Sequence, residues 1–175
     1  LDEPIDVDEP SEPVTLDPTG PIHIDGVTFA YGDGDPVLRD IDLQIAAGER
    51  MAVVGPTGAG KSTLAKLVAR FYDPVVGSVR IGSTDLRDAS TTALRDGVVV
   101  VPQEGYLFSG SVADNVRVAR PDASDAEVRA ALGRIGVLER FEALPDGLAT
   151  EVEERGSRLS AGEKQLVSLA RATLA

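Results

Sequence analysis

The chain has 175 residues, 42% of them hydrophobic and 26% charged, enough for one globular domain with a core of its own. Its net charge of −12, with 17 Lys and Arg scattered along the chain, speaks against a nucleic-acid binder, because phosphate backbones are held by clustered cations. The absence of Cys excludes a disulfide framework and a thiolate metal site, so any metal must be held by oxygen; no apolar run approaches the roughly 18 residues that cross a bilayer and no charged-then-apolar leader opens the chain, which is expected to be soluble.

Residues 1–20 hold seven acidic residues, four prolines and no Lys or Arg. Such a stretch cannot bury enough apolar surface to form a packed element and reads as an acidic linker, with the folded part, residues 21–175, starting at Pro21. From Pro21 onward, period-two alternation (Val27, Phe29, Tyr31; Ile41, Leu43, Ile45) broken by Asp-Gly, Gly-Asp and Ala-Gly turns predicts an antiparallel sheet. The lone histidine, His23, falls in this alternation as an exposed strand position rather than a catalytic group. Two runs, Met51 to Val54 and Val98 to Val101, are apolar without alternation and are expected to be central parallel strands covered on both faces. After Pro102 the pattern becomes helical. Ser111/Asp114 and Ser124/Glu127 are capping-box starts, the second followed by Val128, Ala131, Leu132 and Ile135 at helical spacing, so residues 104–160 are expected to be a mainly helical section.

The sharpest chemical signal is Gly55-Pro56-Thr57-Gly58-Ala59-Gly60-Lys61-Ser62, which fits G-x-x-x-x-G-K-[ST] after an apolar run and before the helical run that begins at Thr63. Glycines let successive backbone N–H groups face phosphates, Lys61 places a point charge on the outer ones, and the Ser62 hydroxyl can join a Mg²⁺ shell. Gln103 follows the second apolar run, at the carboxyl end where ligands of parallel sheets sit; its amide oxygen can complete a Mg²⁺ shell or hold a water, or it is simply a polar loop residue. Tyr31, at the end of an alternating strand, is either a base-stacking ring or a half-buried strand aromatic. Near the C-terminus, Ser160-Ala161-Gly162-Glu163 opens a helix whose N-terminus suits an anion.

In order and spacing, the segments running from Ala30 through the phosphate loop to Leu86, from Val98 to Arg117 and from Leu144 to Ala175 resemble the nucleotide-binding domain of an exporter-type ABC transporter. The resemblance covers nearly everything after Pro21. It implies an α/β phosphate-loop NTPase core with an antiparallel β flank and an inserted helical subdomain, and cofactors ATP and Mg²⁺. Tyr31 becomes the adenine-stacking aromatic, Gly55 to Thr63 the phosphate loop, Lys61 and Gln103 the candidate catalytic residues, and Ser62 and Gln103 the candidate Mg²⁺ ligands. Leu159 to Glu163 becomes the signature motif, in which Ser160, Gly162 and Glu163 contact the ATP of a partner domain in trans. Thr150 to Gly156 resembles the segment that touches the membrane domain in exporters, and the acidic start resembles the stretch leaving the last membrane helix.

Three positions depart from the family pattern. The signature usually reads LSGGQ, so Ala161 and Glu163 are substitutions, and Glu153 stands where glycine is usual. Ser-x-x-Glu caps a helix as well as Ser-x-x-Gln does, but a carboxylate near a triphosphate is less benign and suggests the degenerate half of a heterodimeric exporter as an alternative. The family's Mg²⁺-orienting aspartate, water-activating glutamate and switch histidine are not found in the sequence, so the domain reads as truncated after the signature helix, with an exposed sheet edge and no hydrolysis on its own. The expected parent hydrolyses Mg-ATP to move a solute outward, at the cytoplasmic face of the plasma membrane, with a second nucleotide-binding domain, identical or not, and a transmembrane domain as partners. A non-hydrolysing binding or assembly fragment is the other reading, and a different phosphate-loop enzyme such as a kinase would require the signature region to be coincidence.

Overall fold

In the computed structural model, which describes residues 7–102, 105–152 and 159–175, the alternating segments do pair as an antiparallel sheet. Strands β1 (Ile22–Phe29), β2 (Leu38–Ile45), β3 (Val76–Ile81) and β4 (Thr84–Asp85) lie in the order β2-β1-β3-β4. Ile24 stands opposite Leu43 on one side and Val79 on the other, and the register slips after Ile24, where Gly26 takes φ +55°. At Gly77, φ is +86° and a Cβ would lie 2.4 Å from the Asp25 carbonyl oxygen, so this crossing of β3 past β1 requires glycine. Inward residues Ile24, Val27, Phe29, Leu38, Val79 and Ile81 form a core with Leu67 of helix α1 (Lys61–Val68), Leu86, Ala89 and Leu94 of helix α2 (Thr91–Gly97). His23 sits mid-sheet between Gln44 and Arg80 and is half-buried, more enclosed than its sequence position suggested.

Helix α1 ends in a Schellman arrangement, with Arg70 N–H donating to Leu67 O and Phe71 N–H to Lys66 O. The left-handed position is filled by Arg70 (φ +50°) rather than glycine. The guanidinium compensates: it is buried and donates to Asp73 Oδ1, Ala89 O and Asp8 O at 3.0 to 3.2 Å. Through that last bond the acidic stretch is fastened to the sheet unit. Glu9 accepts from the Thr91 backbone and hydroxyl, Val14 bridges to Ala89, and Leu16 packs on the core. The described part of residues 1–20 carries no regular element beyond that bridge, and from Asp8 to Leu16 it is docked on the sheet unit.

The expectation of two central parallel strands is not met among the described residues. Met51 to Val54 and Val99 to Val101 have no ladder partner and stay solvent-exposed, Val54 at 87%. An apolar extended run becomes a strand only when neighbours supply hydrogen bonds on its edges and layers on its faces, and nothing described here supplies either to these residues.

By contact, the chain divides into residues 1–99 and 100–175. The second unit is helical, as expected, around a two-stranded pairing of β5 (Gly110–Ser111) with β6 (Glu151–Val152). Helices α3 (Val112–Arg117), α4 (Asp125–Arg134), α5 (Leu138–Glu142) and α6 (Ala161–Leu174) enclose Leu107, Val116, Val128, Leu132, Phe141, Val167 and Ala170. Helices α3, α4 and α6 each begin with a complete capping box, at Ser111/Asp114, Ser124/Glu127 and Ser160/Glu163, so local chemistry written in the sequence sets all three starts.

Candidate nucleotide site

Gly58 and Gly60 take φ of +86° and +83°, which swings the loop after Pro56 into the first turn of α1 with Gly60 as its N-cap residue. A Cβ at Gly60 would lie 2.7 Å from the Leu38 side chain, so the loop is seated against β2 as tightly as glycine allows. No acidic side chain occupies the first turn of α1, leaving its free N–H groups and dipole unopposed for an anion. The Lys61 ammonium folds over the loop and donates to the carbonyls of Gly55 and Pro56, 2.8 Å each. Ser62 is exposed and Thr63 buried, so the two hydroxyls have different tasks. Thr63 Oγ1 lies 3.1 Å from the Tyr31 hydroxyl, which ties the aromatic to the helix that carries the loop. Tyr31 is 38% exposed, and its ring meets Phe29 and Tyr72 edge-on at centroid distances of 4.9 and 5.2 Å.

These features fit a nucleoside triphosphate: amides and an ammonium converge on one loop, an exposed hydroxyl is available to an ion, and an exposed aromatic is anchored to the same helix. Among the described residues no group of three or more His, Asp or Glu could hold a metal by protein ligands alone. A divalent cation would therefore depend on the phosphates together with Ser62. Gln103 lies outside the described residues, as does Glu153.

In the second unit, Ser160 caps α6 and Gly162 faces open space with nothing within 4 Å of a would-be Cβ. Glu163 is engaged on both oxygens, with Ser160 on one and Arg140 at 3.2 Å on the other. The Ser160 backbone N–H and then its hydroxyl, joined by Arg140, hold the Glu163 carboxyl below the usual carboxylate range. Sequence reasoning did not find the Arg140 pairing, 23 residues away, nor the role of Arg171. That guanidinium donates to Asn115 O and Tyr106 O at 2.6 Å and to Asn115 Oδ1 at 2.8 Å, and it lies 5.6 Å from the Phe108 ring centroid, fastening residues 106–108 to α3 and α6. Gly105 is packed as closely: a Cβ there would lie 2.4 Å from Lys164 O. A cavity of about 500 Å³ between α3, α4 and α5 is lined by Arg117, Arg129, Asp125 and Glu142, whose charges are already paired with one another.

Residues 38–175 match the family model described as ABC transporter. The ABC transporter ATP-binding protein YknV of Bacillus subtilis is 44% identical over 156 residues, 89% of this chain and 26% of that protein. Human ATP-binding cassette sub-family B member 6 is 43% identical over 89% of this chain and 18% of its own length. The Aspergillus fumigatus protein named as the mitochondrial iron-sulfur clusters transporter atm1 is 41% identical over 94% of this chain and 23% of its own. This chain therefore spans about a fifth to a quarter of the length of these relatives. A solved bacterial Atm1-family ABC exporter with ATP bound matches with a TM-score of 0.91 and 40% identity, over 99% of this chain and 31% of that one. With the glycine-led loop at Gly55 to Lys61, the capped start of α6 and these likenesses in agreement, the chain belongs to the ABC transporter family, as an ATP-binding domain of the exporter type.

Proposed function

We propose that this chain binds Mg-ATP on the loop Gly55 to Thr63, with the base stacked on Tyr31, and that in a larger parent protein it powers outward transport of a solute. The observation that carries the reading is the joining of both ends of the site by one helix: α1 presents Lys61 and Ser62 to phosphates and holds the Tyr31 hydroxyl through Thr63. The loop amides and α1 dipole neutralise phosphate charge, and Lys61 exchanges its contacts with the Gly55 and Pro56 carbonyls for the outer phosphates. Mg²⁺, when bound, would supply charge neutralisation and orientation of the outer phosphates, and Ser62 and Gln103 are the residues that would hold it. Lys61 and Gln103 are the candidate catalytic residues of this chain in this reading.

Ser160, Gly162 and Glu163 are assigned to the ATP of a second nucleotide-binding domain, identical or different, and residues 150–156 to contact with a transmembrane domain. The Atm1-family likeness and the exporter relatives support a parent at a membrane, and the reading assigns this domain to its cytoplasmic face. No helix among the described residues is long and apolar enough to cross a membrane itself. The solute would be selected by the membrane helices of the parent. Titration of a fluorescent ATP analogue against the chain and its Lys61→Ala variant tests the assignment: a loss of at least tenfold is expected, and equal affinities overturn it.

A further inference from the structure

Helix α1 carries one more side chain toward Tyr31. Lys66, half-buried and four residues after Ser62, holds its ammonium 5.5 Å from the ring centroids of both Tyr31 and Tyr72, within the reach of a cation–π contact. The two tyrosine rings stand at 90° to each other, with buried Phe29 beneath both at 4.9 and 5.5 Å. Tyr31 is thus held by near-perpendicular packing against Phe29 and Tyr72, at its hydroxyl by Thr63, and on one ring face by Lys66.

We propose that Lys66 and Tyr72 are positioning residues for nucleobase binding: Lys66 covers one face of Tyr31 and Tyr72 fixes its tilt, so that the other face is a preset platform for a purine. The inference rests on the nucleotide-site reading above and deepens it. A ring lying on an exposed surface would turn about its side-chain torsions, and each turn away from the loop would cost base affinity in lost preorganisation. Here the ring is fixed from three directions before any ligand arrives. A cation on one face also draws π density away from the other, which favours stacking of an electron-rich base there. Because Lys61 and Lys66 share one short helix, about 7.5 Å apart along its axis, the platform stands at a set distance from the phosphate loop. That matches a purine nucleoside di- or triphosphate better than a free base or a bare polyphosphate.

Calorimetric titration of the full chain with ATP, CTP and inorganic tripolyphosphate separates stacking from charge. Lys66→Met is expected to lower ATP affinity about three- to fivefold while leaving tripolyphosphate affinity unchanged, and Lys66→Arg, which keeps a cation over the rings, is expected to restore ATP binding. Tyr72→Leu leaves every charge in place and is expected to lower ATP affinity by a similar factor, with the smaller CTP base less affected than ATP. Wild-type ATP affinity in both Lys66→Met and Tyr72→Leu overturns the proposal, as does a parallel loss of tripolyphosphate in Lys66→Met, which would make Lys66 a phosphate contact. A wild-type chain that binds tripolyphosphate but not ATP removes the platform and spares the phosphate loop; one that binds neither removes the nucleotide site and this proposal with it.

Discussion

Glu163 Oε2 lies 2.8 Å from both the backbone nitrogen and the hydroxyl of Ser160, while Glu163 Oε1 faces Arg140 at 3.2 Å. The substitution of glutamate for the usual signature glutamine is therefore not a bare carboxylate at the start of α6. One oxygen closes the capping box and the other is matched by a guanidinium. A glutamine could still accept the capping bonds, but its amide NH₂ would then point at the Arg140 cation, donor against donor.

Glu163→Gln is accordingly expected to cost the chain the stability of a partly exposed ion pair near pH 6, about 0 to 1 kcal/mol, seen as a slightly lower melting temperature. The Glu163 carboxyl titrates below its ordinary value because the Ser160 backbone N–H and hydroxyl, with Arg140, hold its charged form in the folded state. Its stabilisation is therefore complete above that value and is lost as pH falls through the lower folded value. Thermal melts of both proteins from pH 6 to pH 3 check this: the gap between them should close at the acid end, and a gap that widens there rules out the assigned sign.

Arg70→Ala removes three bonds at once and leaves the Ala89 carbonyl without its charged partner. A loss of about 2 kcal/mol is expected, together with faster amide exchange in residues 8–16, because Asp8 O is one of the three acceptors. Hydrogen exchange that stays slow across that stretch while the core loosens would show that Glu9 and Thr91 hold it without Arg70.

No residue of the chain is assigned the part of a general base, and Gln103, an amide, cannot accept a proton at neutral pH. The chain alone should release no phosphate from Mg-ATP above background. Steady release that disappears in Lys61→Ala would reveal a base elsewhere in these 175 residues.

Ser160→Arg places a bulky cation at the capped end of α6, beside the open space around Gly162. In the parent domain made deficient in hydrolysis, the variant should fail to dimerise with Mg-ATP while binding nucleotide as a monomer nearly as before. Size measurement with and without Mg-ATP decides it. Dimers as stable as the unsubstituted domain's, or a monomer that no longer binds ATP, would remove Ser160 from the trans contact.

The sequence alone determined whatever depends on neighbours a few residues apart. The phosphate loop needs glycines in left-handed backbone just before a helix, and Gly58 and Gly60 are there; the capping boxes at Ser111, Ser124 and Ser160 are four-residue devices that form wherever the helix forms. Alternation at Ile41, Leu43 and Ile45 fixed which face of β2 turns inward. Tertiary structure alone decided the rest. Glu163 met Arg140 across 23 residues and Tyr31 met Thr63 across 32, because packing of helices and strands, not spacing along the chain, sets which side chains reach each other. The apolar runs at Met51 to Val54 and Val98 to Val101 did not form the predicted strands for the same reason: their composition specifies burial on two faces, but a ladder exists only where other segments bring the hydrogen bonds. Lys66 shows the limit most plainly, since a lysine at that place in an amphipathic helix reads as a solvated charge until the fold brings two tyrosine rings beneath it.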